Sequence, residues 1–279
     1  MEDKYSFGTA TTLQEYDDLI TKCAHSTLWP LQFGLSGEKQ KKLSTVYRGH
    51  ASKDYLLQPS IFRNSNDLQC EDELIRIGEK CAQALFGNCL SYFDIIAIMQ
   101  HYGAPTRFLD FSIDPRQALY FACDKEREKD GQVILLRTNH VDSNCEEIRT
   151  VLAFTQLPFK ASNIGDKLRE QMNQMLPDSV LYQHLRKHYL VYPSISNDRL
   201  RIQKGAFVVF GQMLSKDGTK TCSSLFDMGM GVEGYRACIN IPADAKDSIL
   251  MELKKEGITK DSVYPSDYGW HDLMEANRK

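Results

Sequence analysis

Hydrophobic residues recur at helical spacing in several parts of this chain. A first amphipathic helix is predicted to begin near Thr12, with an apolar face formed by Leu13, Tyr16, Leu19 and Ile20. Further predicted helices cover residues 71–90, 93–101, 114–122, 179–188 and 244–256. In the helix over 71–90, the residues predicted to face the core are Leu74, Ile77, Cys81 and Leu85.

Extended segments rich in β-branched and aromatic residues lie between these helices. They are predicted at residues 43–50, 131–137, 199–210, 236–242 and 258–264. Because strands and helices do not alternate regularly, the pattern predicts an α+β fold in one compact domain, with a mixed, largely antiparallel sheet and flanking helices. We expect that domain to span residues 1–279. Residues 138–200 show a less clear pattern of secondary structure and are expected to be insertion-like or partner-facing.

Composition narrows the class of protein. The 279 residues carry a formal net charge of -3, so no basic footprint favours wholesale binding of nucleic acid, although a local basic groove around residues 186–188 stays open. No apolar run approaches about 18 residues, so we expect no membrane partner and a cytoplasmic protein. The eight cysteines form no C-x-x-C pair, which favours buried free thiols over a zinc site, and no metal is expected.

Polar groups of several chemistries crowd the turn between residues 100 and 114. Gly103 is expected to end the preceding helix, and Asp114 with Pro115 is expected to begin the next. Gln117 lies three residues after Asp114, as in a capping box. Backbone N–H groups at that helix start would point at the turn and could hold an anion, so the sequence predicts a site here.

Individual residues in and near this turn have both a functional and a structural interpretation. Arg48, at the end of a predicted strand, either reaches into a cleft or pairs with Asp110 to fix the strand to the turn. Thr106 and Ser112 either line a pocket or serve only as turn and cap residues. Tyr47 and Tyr102 are either core aromatics or stacking platforms, and His101 is either a hydrogen-bonded structural residue or a base. Gln203 is either a site residue or a bulge or edge residue before its strand.

Five motifs in a fixed order resemble the FRG domain family, named for an aromatic-arginine-glycine sequence. The resemblance extends from about residue 10 to residue 265, with mild departures from the family pattern at His50 and Phe111. The motifs are Tyr47-Arg48-Gly49, Leu57-x-Pro59-Ser60-x-Phe62-Arg63, Gln100-His101-Tyr102-Gly103-x-Pro105-Thr106-Arg107-x-Leu109-Asp110, Ala118-Leu119-Tyr120-Phe121-Ala122 and Gln203-x-Gly205-x-Phe207.

The order of these motifs is also similar to that of ADP-ribosyltransferases, and this weaker resemblance implies an ADP-ribosyltransferase-like fold with NAD as a substrate. It implies that Arg48 contacts NAD and that Gln203 orients the ribose. Since glutamine cannot act as a general base, Asp110 or Glu233 would replace it. The implied NAD-binding residues are Tyr47, Arg48, Gly49, His50, Tyr102, Thr106 and Ser112.

The two resemblances together predict an enzyme that transfers ADP-ribose to a macromolecular acceptor, either protein or nucleic acid (RNA or DNA). Such an enzyme could be a toxin or a phage-defence effector restrained by an antitoxin-like partner. The alternative is a non-catalytic nucleotide or nucleic-acid binding module that uses Arg48, Arg63 and Arg107. A metal-dependent nuclease is disfavoured, because the sequence shows no clear cluster of metal-binding carboxylates.

Overall fold

A computed structural model describes most of the chain. The described residues are 6–26, 31–33, 43–86, 90–193, 205–212, 215, 217–221 and 234–263. Gln203 and Glu233, and the basic Arg199 and Arg201, lie outside the described residues.

Strands of the described residues form one mixed sheet in the order β1-β9-β5-β3-β4-β8-β7-β6, with β2 also paired to β9. The β1/β9 and β6/β7 pairs are parallel and the others are antiparallel, so the predicted α+β fold with a mixed, largely antiparallel sheet is confirmed. The strands are β1 (Ser6–Thr9), β2 (Leu31–Phe33), β3 (Ser44–His50), β4 (Phe108–Ser112), β5 (Gly131–Thr138), β6 (His140–Val141), β7 (His188–Val191), β8 (Gly205–Phe210) and β9 (Gly234–Ile241).

Helices of the described residues cover the sheet. They are α1 (Leu13–His25), α2 (Ser65–Gln69), α3 (Glu71–Phe86), α4 (Tyr92–His101), α5 (Pro115–Asp124), α6 (Glu146–Thr155), α7 (Ile164–Met172), α8 (Asp178–Leu185), α9 (Lys246–Lys255) and α10 (Lys260–Val263). Thr12 caps α1 as predicted, because its hydroxyl accepts a hydrogen bond from Glu15 N.

The helices fall into two groups over different halves of the sheet. One hydrophobic cluster joins α1, α5 and α9 to the inward residues of β5 and β9. Another joins α4, α6, α7 and α8 to β4, β7 and β8. A third cluster, around the segment 57–68, covers residues of both halves. The two halves meet where β3 lies beside β4.

Several local predictions need correction. Residues 258–264 were expected to be extended, but Lys260–Val263 form α10, because Thr259 and Ser262 hydrogen-bond each other's backbone N–H in a local cap. Helix α3 is rotated from the predicted face, so that Ile75 and Ala82 are more buried than Leu74. The expectation that residues 138–200 are insertion-like or partner-facing stays a prediction. Their described part, up to residue 193, contains α6, α7, α8, β6 and β7, and most of its buried apolar side chains belong to the same cluster as α4.

Candidate functional site

An open seam in the sheet creates the main candidate site. Strand β3 pairs with β5 at seven positions, from Ser44 to His50, but pairs with β4 at a single position, Tyr47 opposite Ser112. Beyond that pair the two strands separate. A half-buried side chain bridges the gap, because Arg48 Nη1 donates to the backbone oxygen of Asp110 at 2.5 Å.

A cleft of about 810 Å³ opens at this seam, a volume within the usual range of ligand sites. Its walls come from β3, β4, β8, the end of α4, one side of α5 and the loop after β3. Lining residues include Tyr47, Arg48, Gly49, His50, Tyr55, Gln58, Arg63, Gln100, His101, Asp110, Ser112, Gln117, Phe121 and Lys125. Six residues of the predicted site therefore meet in one cavity.

Arg48 keeps its charge in the cleft. Burial lowers the pKa of the Arg48 guanidinium to about 10, partly offset by the attraction of Asp110, so Arg48 is a cation at neutral pH. Its bond to Asp110 reaches the backbone and not the carboxylate. None of the ion pairs among the described residues includes Arg48. The structural alternative, a salt bridge between these two side chains, is not what holds the strand to the turn.

His50 is a neutral acceptor beneath Arg48. Its Nε2 accepts from Arg48 Nε at 3.2 Å. Burial, with the nearby positive charges of Arg48, Arg236 and Arg63, lowers the pKa of His50 to about 3. An acceptor nitrogen without a proton orients the guanidinium without neutralising it. His50 therefore positions Arg48 and does not act as an acid at neutral pH.

A chain of hydrogen bonds leads from the buried turn to the carboxylate of Asp110. Thr106 Oγ1 donates to Gln100 Oε1 at 2.5 Å, and Gln100 Nε2 donates to Asp110 Oδ2 at 2.7 Å. Thr106 is buried, Gln100 is half-buried and Asp110 is exposed. Thr106, predicted to line the pocket, thus lies one residue behind the cleft.

The start of α5 is capped by the chain itself. Asp114 accepts from the backbone N–H groups of Arg116 and Gln117, so those donors are not available to an anion as the sequence had suggested. The predicted capping box is also modified. Gln117 does not return to Asp114 N; its Oε1 accepts from Ser112 Oγ, and that hydroxyl accepts from Asp114 N.

Comparison with known proteins supports the motif interpretation. Residues 43–131 match the model of the FRG domain. Residues 43–131 therefore carry an FRG domain. No curated protein and no solved structure matches the chain. The matched residues include β3 and β4, the two strands of the seam. The extent of the domain over residues 1–279 stays a prediction.

The glycine of the FRG motif has a packing role. A Cβ at Gly49 would lie 2.0 Å from Ala118 O and 2.6 Å from Ala122 N, both backbone atoms of α5. Any side chain would therefore push α5 away from β3. Gly49 allows this close approach, while Arg48 beside it faces the cleft.

Two motif residues of the FRG domain lie away from the cleft. Tyr102 is buried against Cys81 and Ile98, which favours its structural interpretation. Arg107 is buried, and its guanidinium forms a two-pronged ion pair with Glu71. Arg107 is therefore not available to bind a ligand in the cleft.

Sequence reasoning missed a buried lysine that shapes the cleft. Lys246 Nζ donates to the backbone oxygens of Ala51, Lys125 and Glu126 at 2.7, 3.3 and 3.0 Å. Two of these residues, Ala51 and Lys125, line the cavity. A lysine at the start of an amphipathic helix carries no sequence signal for such a contact.

Two further features of the described residues bear on other function classes. No described helix is long and apolar enough to cross a membrane. The described residues also contain no group of three or more His, Cys, Asp or Glu side chains arranged to hold a metal ion. None of the described cysteines is in a disulfide, and four of them (Cys23, Cys81, Cys123 and Cys238) are buried.

Proposed function

We propose that the FRG cleft binds a nucleotide by its phosphates and that the protein transfers ADP-ribose from NAD to a macromolecular acceptor. One observation carries the proposal: Arg48 and Arg63 both line the cleft, and neither belongs to an ion pair among the described residues. Two cations without carboxylate partners favour an anionic ligand, and guanidinium groups match phosphate oxygens in geometry.

The two arginines are held in different ways. Arg48 is fixed by His50 and the Asp110 backbone. Arg63 Nε and Nη2 donate to Gln58 O at 3.3 and 3.1 Å, while its side chain stays exposed. We assign Arg48 to the more enclosed phosphate and Arg63 to the one nearer the cleft mouth. Tyr47 and Phe121 supply apolar wall beside them.

We assign the Asp110 carboxylate to the ribose end of such a ligand, where the reaction takes place. In the transfer, the bond between nicotinamide nitrogen and ribose carbon breaks, and its electron pair leaves with nicotinamide. A nucleophile of the acceptor forms the new bond to that carbon and loses its proton. The Asp110 carboxylate could accept a hydrogen bond from a ribose hydroxyl or take the acceptor's proton. From the resemblance alone, Gln203 and Glu233 remain proposed participants.

Incubation of the purified protein with NAD tests the proposal directly. We expect release of nicotinamide, either with NAD alone or after addition of RNA, DNA or cell lysate as a source of acceptor. NAD should also raise the melting temperature in a concentration-dependent way, because a ligand of the folded state stabilises it. If nicotinamide is not released in any arm and NAD does not raise the melting temperature, the proposal is wrong.

Arginine variants locate the activity in the cleft. Arg48→Ala should abolish nicotinamide release and Arg48→Lys should restore little of it, since a point charge cannot form a two-pronged phosphate contact. The expected loss is about 2–4 kcal/mol of transition-state stabilisation. Arg76→Ala, on the exposed side of α3, is the matched control. Equal loss of melting temperature and activity in Arg48→Ala would instead favour a structural role.

The alternative function, a binding module for nucleic acid, gives a different result in the same assays. The exposed cations Arg63 and Lys125 at the cleft are the observation that favours it. RNA or DNA would then raise the melting temperature, the effect would weaken steeply with added salt, and no nicotinamide would be released.

A further inference from the structure

The hydrogen-bond chain behind Asp110 has a fixed direction. The backbone N–H of Phe108 donates to Thr106 Oγ1 at 3.1 Å, so the hydroxyl proton of Thr106 is directed to Gln100 Oε1. An amide whose oxygen accepts at one end must present its NH₂ group at the other. Gln100 therefore has one favoured orientation, in which Nε2 donates to Asp110.

This arrangement leaves the two oxygens of Asp110 in different states. Oδ2 is occupied by Gln100 Nε2 at 2.7 Å. Oδ1 has no hydrogen-bond partner among the described residues, although Asp110 is exposed and lines the cleft. The backbone oxygen of the same residue is held by Arg48. Asp110 is thus held once through its backbone oxygen and once through Oδ2, and Oδ1 is left for a ligand.

We propose that Gln100 and Thr106 are positioning residues that hold the Asp110 carboxylate so that Oδ1 accepts a hydrogen bond from a hydroxyl group of the bound ligand. The ligand then has an anionic part at Arg48 and a hydroxyl donor next to it, as a sugar phosphate has. This inference rests on the proposed nucleotide function but makes a claim about Asp110 that is measurable without any nucleotide.

A second glutamine-aspartate pair in the chain provides a comparison. On α1, Gln14 Nε2 donates to Asp18 Oδ1 at 2.9 Å, and both side chains are exposed. Among the contacts of the described residues, no hydroxyl holds the Gln14 amide oxygen as Thr106 holds that of Gln100. An exposed glutamine without such a contact can rotate away, and the Asp18 carboxylate is then solvated by water instead.

Replacement of the amide by a carboxylate tests the inference. In Gln100→Glu, the Thr106 hydroxyl keeps one carboxylate oxygen in place and the other then faces Asp110 Oδ2, so two negative charges compete for one proton. Carboxyl-carbon NMR should show the titration midpoint of Asp110 rising by about one pH unit or more relative to wild type. In the matched Gln14→Glu variant, Asp18 should move by less than about half a unit.

A second pair of variants tests whether Thr106 sets the direction. Thr106→Val removes the hydroxyl and frees the Gln100 amide, whereas Thr106→Ser keeps the hydroxyl. The Asp110 midpoint should change in Thr106→Val and stay near that of wild type in Thr106→Ser. Equal midpoints in both variants, or equal shifts in Gln100→Glu and Gln14→Glu, would overturn the positioning role.

Ligand assays separate this inference from the proposed function. With NAD or another sugar phosphate, Gln100→Glu should weaken binding or turnover at least about tenfold at a pH where the wild type is active. If the Asp110 midpoint responds as expected but NAD is neither bound nor consumed, the positioning role stands and the NAD assignment fails. If NAD is consumed but the Asp110 midpoint does not shift in the variants, the NAD assignment stands and the positioning role fails.

Discussion

The hydrogen-bond and ion-pair partners of each arginine in the FRG domain determine whether it is available to bind a ligand. Arg48 and Arg107 belong to neighbouring motifs, yet the hydrogen bonds of Arg48 among the described residues go to a neutral histidine and a backbone oxygen, whereas Arg107 is neutralised by Glu71. The sequence alone does not separate these outcomes, because both arginines lie beside short apolar stretches, residues 46–47 and 108–109. A cation that folding leaves without a counter-charge is the one available to a ligand.

Buried neutral histidines should make the protein sensitive to acid. Burial lowers the pKa of His188 to about 3, and its Nδ1 accepts from Gly211 N at 3.1 Å. The unfolded chain, with an ordinary histidine value of about 6.5, binds more protons between these pH values. Stability is therefore complete above about pH 6.5 and is lost as pH falls towards 3.

His188→Asn tests this effect. Asparagine can keep an acceptor for Gly211 N without titrating. Between pH 7 and pH 5, the loss in free energy of unfolding should be smaller than in wild type by about 1–2 kcal/mol, measured by urea denaturation at both pH values. The same exchange at His25, on the exposed end of α1, is the control. An unchanged pH dependence in His188→Asn would contradict the assignment.

At the level of elements, the close approach of α5 to β3 sets the geometry of the cleft wall. Gly49 makes that approach possible, and Gln117 and Phe121 then project from α5 into the cavity lining. Helix boundaries here could be predicted, because they depend on local caps: Asp114 with Pro115 starts α5, and Gly103, with a φ of 83°, follows the end of α4.

Gly49→Ala should therefore separate α5 from β3. The added Cβ would meet backbone atoms that cannot rotate aside, and we expect a loss of about 3 kcal/mol or more in the free energy of unfolding. Gly205→Ala is the matched control on β8, since a Cβ there meets no atom within 4 Å among the described residues. Denaturant unfolding of both variants measures the difference. Equal stability of the two would show that α5 can move without cost.

Across the whole molecule, the parts that sequence patterns could not supply depend on long-range contacts. The open seam is one, because periodicity predicts β3 and β4 but not that they pair at one position only. The face of α3 is another. Glu71 lies on that face to meet Arg107 and Lys220, 36 and 149 positions away in the chain. Local spacing instead favoured Leu74.

The ion cluster of Glu71, Arg107 and Lys220 should contribute to the stability of the fold and not to ligand binding in the cleft. Burial alone would raise the pKa of Glu71, but attraction to the two cations outweighs it and holds that pKa below its usual range. All three side chains are buried, and the guanidinium carbon of Arg107 also lies 5.2 Å from the centre of the Phe62 ring. Loss of Arg107 would leave Glu71 paired with Lys220 alone and would remove the two charge-assisted hydrogen bonds of the buried guanidinium.

Arg107→Met and Arg63→Met separate the two roles that arginine has in this domain. Arg107→Met should lower the free energy of unfolding by about 3–5 kcal/mol but leave ligand affinity of the folded protein within about twofold, since Arg107 does not line the cavity. Arg63→Met should cost less than about 1 kcal/mol, because its side chain is exposed, and should weaken nucleotide binding severalfold. Urea denaturation and binding titrations on the same preparations measure both quantities. A stable Arg107→Met variant that no longer binds the nucleotide would place the phosphate site at the buried cluster instead.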